Sequence, residues 1–164
     1  MKKIFSLLFA GLFILSFSVF AQNKYVGSKM CGMCHKGEKK GSQLEIWQKS
    51  QHAKAFETLK SAEAEKIKKG ASEATECLEC HAITADAKFT PEGVSCEMCH
   101  GAGSAYKSIM KDKAKAVAAG LVDFKDNATI EKTCKKCHNE KSPTHKGFKF
   151  EEMWAKIKHP APKG

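Results

Sequence analysis

Twelve residues fall into four copies of one short motif, in which two cysteines are separated by two residues and the second is followed directly by histidine. The copies are Cys31, Cys34 and His35; Cys77, Cys80 and His81; Cys96, Cys99 and His100; and Cys134, Cys137 and His138. Two such thiols can add across the two vinyl groups of a porphyrin, and the adjoining histidine then lies under the iron as its proximal ligand. The pattern predicts four covalently attached haem c groups, and it uses every cysteine of the chain.

Paired cysteines are also typical of zinc sites and of disulfide frameworks. Zinc gives no reason for a histidine to follow the second cysteine in all four copies. A disulfide framework also leaves the histidines unexplained, and a two-residue gap is poor geometry for a bridge. The sequence therefore favours c-type haem over both alternatives.

The first 21 residues have the organisation of a secretory signal peptide. Lys2 and Lys3 form a basic start, an apolar run covers residues 4–20, and Ala21 ends a possible cleavage site. A retained membrane anchor is the alternative, but the run is short for a full span and lacks a basic stop-transfer flank. We expect a signal peptide at 1–21, cleaved near Ala21, and a periplasmic tetrahaem domain at 22–164, because c-type haem is attached outside the cytoplasm.

The mature chain is short for four cofactors. By length it is one domain, and it offers too little protein to enclose each haem in a core of its own. We expect a compact, mainly α fold with little regular sheet, in which the haems form the core. Helical periodicity and end signals predict helices at 44–60, 104–119 and 150–158, with Ser42 and Glu45 as a capping box and Thr129 as the cap of another helix.

The formal net charge of +10 would suit nucleic acid or an acidic membrane. Every basic residue is lysine, however, and the chain lacks arginine. The planar guanidinium group of arginine binds a phosphate through two hydrogen bonds, which lysine cannot do. Four haems would also bring eight propionates. We interpret the lysines as compensation for the propionates and as a docking surface for an acidic redox partner. We expect no nucleic-acid partner, and membrane association only through an uncleaved signal.

The supply of axial ligands is limited. Of seven histidines, four are proximal, which leaves His52, His145 and His159. Four irons therefore cannot all bind two histidines from this chain. At least one iron takes another ligand such as methionine, borrows one from a partner, or stays open.

The chain resembles the tetrahaem cytochrome c-554 family, whose founding member accepts electrons from hydroxylamine oxidoreductase, over most of its mature length. Strings beyond the haem motifs carry the resemblance: Trp47, residues 52–55, 59–60, 93–101, 142–143, and 148–153 ahead of His159. The resemblance implies a mainly helical fold around stacked haem pairs, with three bis-histidine haems and a five-coordinate haem at the second motif. It also implies that His52 and His159 are distal ligands.

Two positions depart from the family pattern. The family's third distal histidine aligns with Met110, so the first haem could be bound by His35 and Met110; the alternative is that Met110 only packs against haem. The loop that lies over the family's open iron corresponds to residues 143–145. His145 could close the site at the second haem, line it, or serve the first haem.

We predict from the sequence a periplasmic electron carrier that acts between redox partner proteins, such as an oxidoreductase and a membrane quinol-linked complex. The alternative is a small nitrogen-oxide reductase, acting on nitric oxide at an open-coordinate haem. A third hypothesis is a haem-bearing structural subunit of a larger membrane complex. The sequence shows no serine triad, phosphate loop or paired-carboxylate site that would indicate other chemistry.

Overall fold

A computed structural model describes residues 22–162, so the predicted signal peptide lies outside the described residues. The described chain is built from short helices and has no β-strand, which confirms the mainly α prediction. Within it, no helix is both long enough and apolar enough to cross a membrane. The α-helices are α1 (Ser28–Gly32), α2 (Gln43–Lys49), α3 (Ala55–Thr58), α4 (Ala62–Ile67), α5 (Thr75–His81), α6 (Cys96–His100), α7 (Lys113–Ala118), α8 (Asn127–Cys134) and α9 (Phe150–Ile157). Short 3-10 helices cover Glu38–Lys40, His52–Lys54 and Ala87–Glu92.

The helix predicted at 44–60 is broken in the structure. Helix α2 ends at Ser50, whose ψ is 161°, and the chain continues as a 3-10 turn and α3. The amide and the hydroxyl of Ser50 both donate to the Trp47 carbonyl, so the end of α2 is satisfied locally. The capping box was also wrong: Ser42 makes no capping bond, and Glu45 accepts the Gly37 amide at 2.9 Å.

The prediction at 104–119 was too long. Turns occupy the first part of this stretch, and α7 begins only after Asp112, whose carboxylate accepts the Lys115 amide at 3.1 Å. Helix α8 is capped by Asp126, which accepts the Thr129 amide at 2.7 Å, and not by the Thr129 side chain. Helix α9 lies where the sequence predicts it, within one residue.

Few large apolar side chains are buried between residues 22 and 162. The buried apolar residues are Ala55, Leu59, Ala71, Ala82, Ile83, Tyr106, Ala116 and Ile130. Half of them are alanines, which contribute little apolar area each. So small an apolar interior agrees with the expectation that haem surfaces form much of the core.

A buried carboxylate joins the N-terminal segment to the third motif. Glu97, in α6, is 1% exposed. Its oxygens accept the amides of Val26 at 3.0 and 3.1 Å, Gly27 at 2.8 Å and Gly103 at 2.7 Å. Because Gly27 directly precedes α1, these bonds fix the first motif next to the third, and α1 packs against α6 as well as α2.

We expect Glu97→Ala to lower the unfolding free energy of the holoprotein by about 3 kcal/mol or more, since each backbone donor left without a partner costs about 1–3 kcal/mol. Denaturant titration followed by circular dichroism measures the loss. Glu140→Ala, at an exposed glutamate, is the matched control and should leave the midpoint unchanged. Equal midpoints for the two variants would show that the Glu97 bonds do not stabilise the fold.

Candidate functional site

Each haem motif forms a single helical turn. The second and third motifs close α5 and α6, while the first and fourth run past the ends of α1 and α8. There the His35 amide donates to the Cys31 carbonyl at 3.1 Å, and the His138 amide to the Cys134 carbonyl at 2.9 Å. Residues three and four positions apart lie on one helical face. Both thiols and the imidazole of a motif therefore face the same side, as attachment to one porphyrin requires.

All eight cysteines are free thiols and none forms a disulfide. The disulfide framework weighed from the sequence is therefore not present in the structure.

Two pairs of imidazole rings join a motif histidine to a histidine distant in sequence. The ring centroids of His52 and His138 are 6.0 Å apart, with planes inclined at 50°. Those of His100 and His159 are 5.9 Å apart, inclined at 39°. An imidazole nitrogen binds a first-row metal at about 2 Å, so two imidazoles on opposite sides of one ion have centroids about 6 Å apart. Both separations therefore fit a haem iron between the rings.

Burial favours the neutral form of His100 and of His52. Burial lowers the pKa of His100 to about 4, and the neighbouring His159 and His35 add to the shift. Burial likewise lowers the pKa of His52, with a further contribution from His138. Since the neutral imidazole is the form that binds a metal, these shifts favour ligation near neutral pH.

Backbone carbonyls fix the tautomer of two candidate ligands. His81 Nδ1 lies 2.9 Å from the Ala55 carbonyl oxygen, and His159 Nδ1 lies 3.2 Å from that of Pro160. A carbonyl oxygen can only accept, so each Nδ1 carries the proton and donates it. The lone pair is then on Nε2, the usual arrangement for a histidine that binds a metal through Nε2.

The first and third motifs lie together in space. The thiols of Cys31 and Cys96 hydrogen-bond to each other, and this bond and burial raise the pKa of Cys31. His35 and His159 are close enough to His100 for their charges to interact. These residues form one group of candidate ligands, which we call the first–third group.

The second and fourth motifs form the other group. Burial raises the pKa of the Cys137 thiol to about 12, and its hydrogen bond to Cys80 adds to the shift. His145 and His81 both lie within range of the charge on His138. We call this set, with His52, the second–fourth group.

The two groups meet at the third and fourth motifs. Burial raises the pKa of Cys99 to about 11, and the nearby Cys134 contributes to the shift. The spatial order of the motifs is therefore first, third, fourth, second.

The segment before the third motif holds His52 in place. The Val94 amide donates to the His52 carbonyl at 2.9 Å, and Trp47 Nε1 donates to the Val94 carbonyl at 2.8 Å. Gly93 has φ 68°, and a Cβ there would lie 2.6 Å from the His52 carbonyl oxygen. This close approach requires glycine.

His159 is positioned by a contact near the first motif. Gln43, which is buried, donates through Nε2 to the Pro160 carbonyl at 3.0 Å and to the Lys40 carbonyl at 2.8 Å. The contact ties the end of α9 to the start of α2. Sequence reasoning missed both Gln43 and the role of Gly93, although Gly93 stands in one of the strings that carry the family resemblance.

The remaining candidate ligands have different surroundings. Met110 lies in a turn before α7 and is 36% exposed, so its role as a ligand stays a prediction. His145 is partly buried in the second–fourth group, and its Nε2 is buried. The structure places His145 beside His138, a residue of the second–fourth group.

Thiol pairs and imidazoles on common helical faces, with ring pairs spaced for an axial metal, are the features of a c-type cytochrome. The family model described as cytochrome c554 and c-prime matches residues 30–101. Cytochrome c-554 of Nitrosomonas europaea is 27% identical over an alignment 194 positions long, which covers 91% of this chain and 80% of that protein. No solved structure matches significantly.

Both matches are to cytochrome c-554 proteins, in agreement with the resemblance seen in the sequence. The motif geometry and the two matches support a c-type cytochrome with covalently bound haem c.

We expect His52→Ala and His159→Ala each to turn one low-spin ferric haem high-spin, because each removes one imidazole of a ring pair. Low-temperature paramagnetic resonance measures the change, and added imidazole should reverse it. Gln51→Ala and Lys158→Ala, at the neighbouring exposed positions, are the controls. An unchanged spectrum in either histidine variant would refute the assignment of that residue, and the double variant should show two high-spin irons.

Proposed function

We propose that this chain is a periplasmic four-haem cytochrome that relays electrons between redox partner proteins. The observation that carries the proposal is the pair of imidazole separations near 6 Å, each between a motif histidine and a distant histidine. They support axial ligation by His52 with His138 and by His159 with His100. The four motifs and the signal-like N-terminus support the haem count and the compartment.

The proximity of the motifs supports a relay. Cysteines of the first and third, third and fourth, and fourth and second motifs are neighbours, so each attached haem would lie beside the next. The haem irons supply reversible one-electron chemistry when bound. The polypeptide supplies neutral imidazoles, fixed spacing and lysines around the motifs.

A basic groove beside the fourth motif supports docking of an acidic partner. It has a volume of about 390 Å³ and lies along α8, next to Cys134. It is lined by Ala128, Glu131, Lys132, Lys135 and Lys136. Lys135 is paired with Glu131 at 2.7 Å, whereas Lys132 and Lys136 form no ion pair within residues 22–162. These two charges would attract an acidic surface to the fourth haem.

Reduction of a small nitrogen oxide such as nitric oxide is the second candidate function. The observation that favours it is the histidine count, since seven histidines cannot give two axial imidazoles to each of four irons. Four saturated low-spin irons would remove this candidate. A high-spin ferric signal that shifts with nitric oxide would favour it.

The haem count is tested by intact mass and iron analysis of protein expressed with a working maturation system. We expect the mass of the chain, cleaved near Ala21, plus four haems, because four complete motifs are present. Variants with serine in place of both cysteines of one motif are the controls and should each lose one haem. Fewer than four haems in the parent protein, or stoichiometric zinc, would contradict the proposal.

The docking surface is tested with small redox probes of opposite charge. Reversing Lys132 and Lys136 to glutamate should slow reduction by an anionic iron complex about threefold to tenfold at low salt and speed reduction by a cationic complex, with both effects fading as salt rises. Stopped-flow absorbance measures the rates. The control is Lys66→Glu with Lys69→Glu, which changes the net charge by the same amount. These two lysines are exposed and lie away from the motifs in sequence. Equal changes in both double variants would show only a net-charge effect and no docking site.

A further inference from the structure

The imidazole of His145 has a buried nitrogen that no described residue satisfies. Nε2 is inaccessible to solvent and has no hydrogen-bond partner within residues 22–162. A buried polar atom without a partner destabilises the fold, and in a native protein it requires an explanation. For an imidazole nitrogen next to haem motifs, a metal is a chemically suitable partner.

The loop that carries His145 follows the fourth motif and places the ring beside it. The His145 amide donates to the Ser142 carbonyl at 3.0 Å, which closes a turn directly after that motif. A cavity of about 200 Å³ lies here, and Cys137, His138 and His145 are among the residues that line it. The ring therefore lies beside the fourth motif, with its Nε2 buried.

The other histidines decide which iron His145 can serve. The third and fourth irons are each accounted for by a ring pair, His100 with His159 and His52 with His138. The irons of His35 and His81 are left. His35 belongs to the first–third group, whereas His81 and His145 both lie within range of the charge on His138. His81 is also held in the ligating tautomer by the Ala55 carbonyl.

We propose that His145 Nε2 is an axial ligand of the iron carried by Cys77, Cys80 and His81. This inference rests on the proposed four-haem cytochrome. It replaces the open second haem that the family resemblance implies with a bis-imidazole haem. The iron without a second imidazole is then the one at His35, where the sixth position is left to Met110 or to a small ligand such as nitric oxide.

The test is the spin state of the ferric holoprotein. His145→Ala should add one high-spin iron by paramagnetic resonance and one new carbon monoxide site after reduction, and added imidazole should restore the low-spin signal. Thr144→Ala, in the same loop, is the matched control. His145→Met distinguishes the loss of a ligand from a folding defect. A thioether ligand should keep the iron low-spin and add a weak far-red absorption band. An unchanged spectrum in the alanine or the methionine variant would overturn the proposal.

Two further variants identify the iron. His52→Ala with His145→Ala should show two added high-spin irons, and a single one would assign both residues to one iron and overturn the proposal. The second variant is Cys77→Ser with Cys80→Ser, which lacks the second haem. In that protein His145→Ala should add no high-spin iron. An added high-spin iron would assign His145 to another haem and overturn the proposal. The haem count and the responses of the His52→Ala and His159→Ala variants test the proposed function separately, so failure of either claim is recognisable.

Discussion

The buried carboxylate of Glu97 is the interaction on which the arrangement of the motifs depends. It accepts three backbone amides from two segments on either side of α6, and so joins the start of α1 to the third motif. With a small apolar interior, the fold relies on such polar contacts to place its motifs. The third motif is one of the two inner motifs of the series: it neighbours the first motif at Cys96 and the fourth at Cys99.

Candidate ligands reach the motifs from distant parts of the chain. His52 is 86 residues from His138, and His159 is 59 residues from His100. Local contacts hold these histidines in place. Gly93 and Val94 contact the backbone of His52, and Gln43 binds the segment after α9. Each bound iron would link two remote segments, so haem binding and folding should stabilise each other. A cytochrome built in this way needs little additional core.

Local signals explain what could be predicted from the sequence. The haem motifs, α9 and the mainly α class follow from residue spacing, helical periodicity and end signals that act over a few residues. The break in the helix after α2 was missed because Ser50 ends it through bonds to the Trp47 carbonyl, which propensity does not reveal. Asp126 and Asp112 were overlooked as caps although their residue type indicates the role.

The partners of the distal histidines could not be predicted from the sequence, because pairing depends on which motifs meet in space. Counting showed that histidines were too few, but it left His145 open to either the first or the second haem. The neighbours of His138 favour the second. No comparable contact distinguishes the two roles of Met110, and its ligation stays a prediction from the resemblance.

The central claim is that motif histidines are paired across an iron with histidines distant in sequence. Low-temperature paramagnetic resonance of the ferric holoprotein, integrated against total haem, tests it most directly. The account predicts at least two low-spin irons per chain with the signature of two imidazole ligands. Fewer than two such irons in protein that carries its full haem content would contradict it.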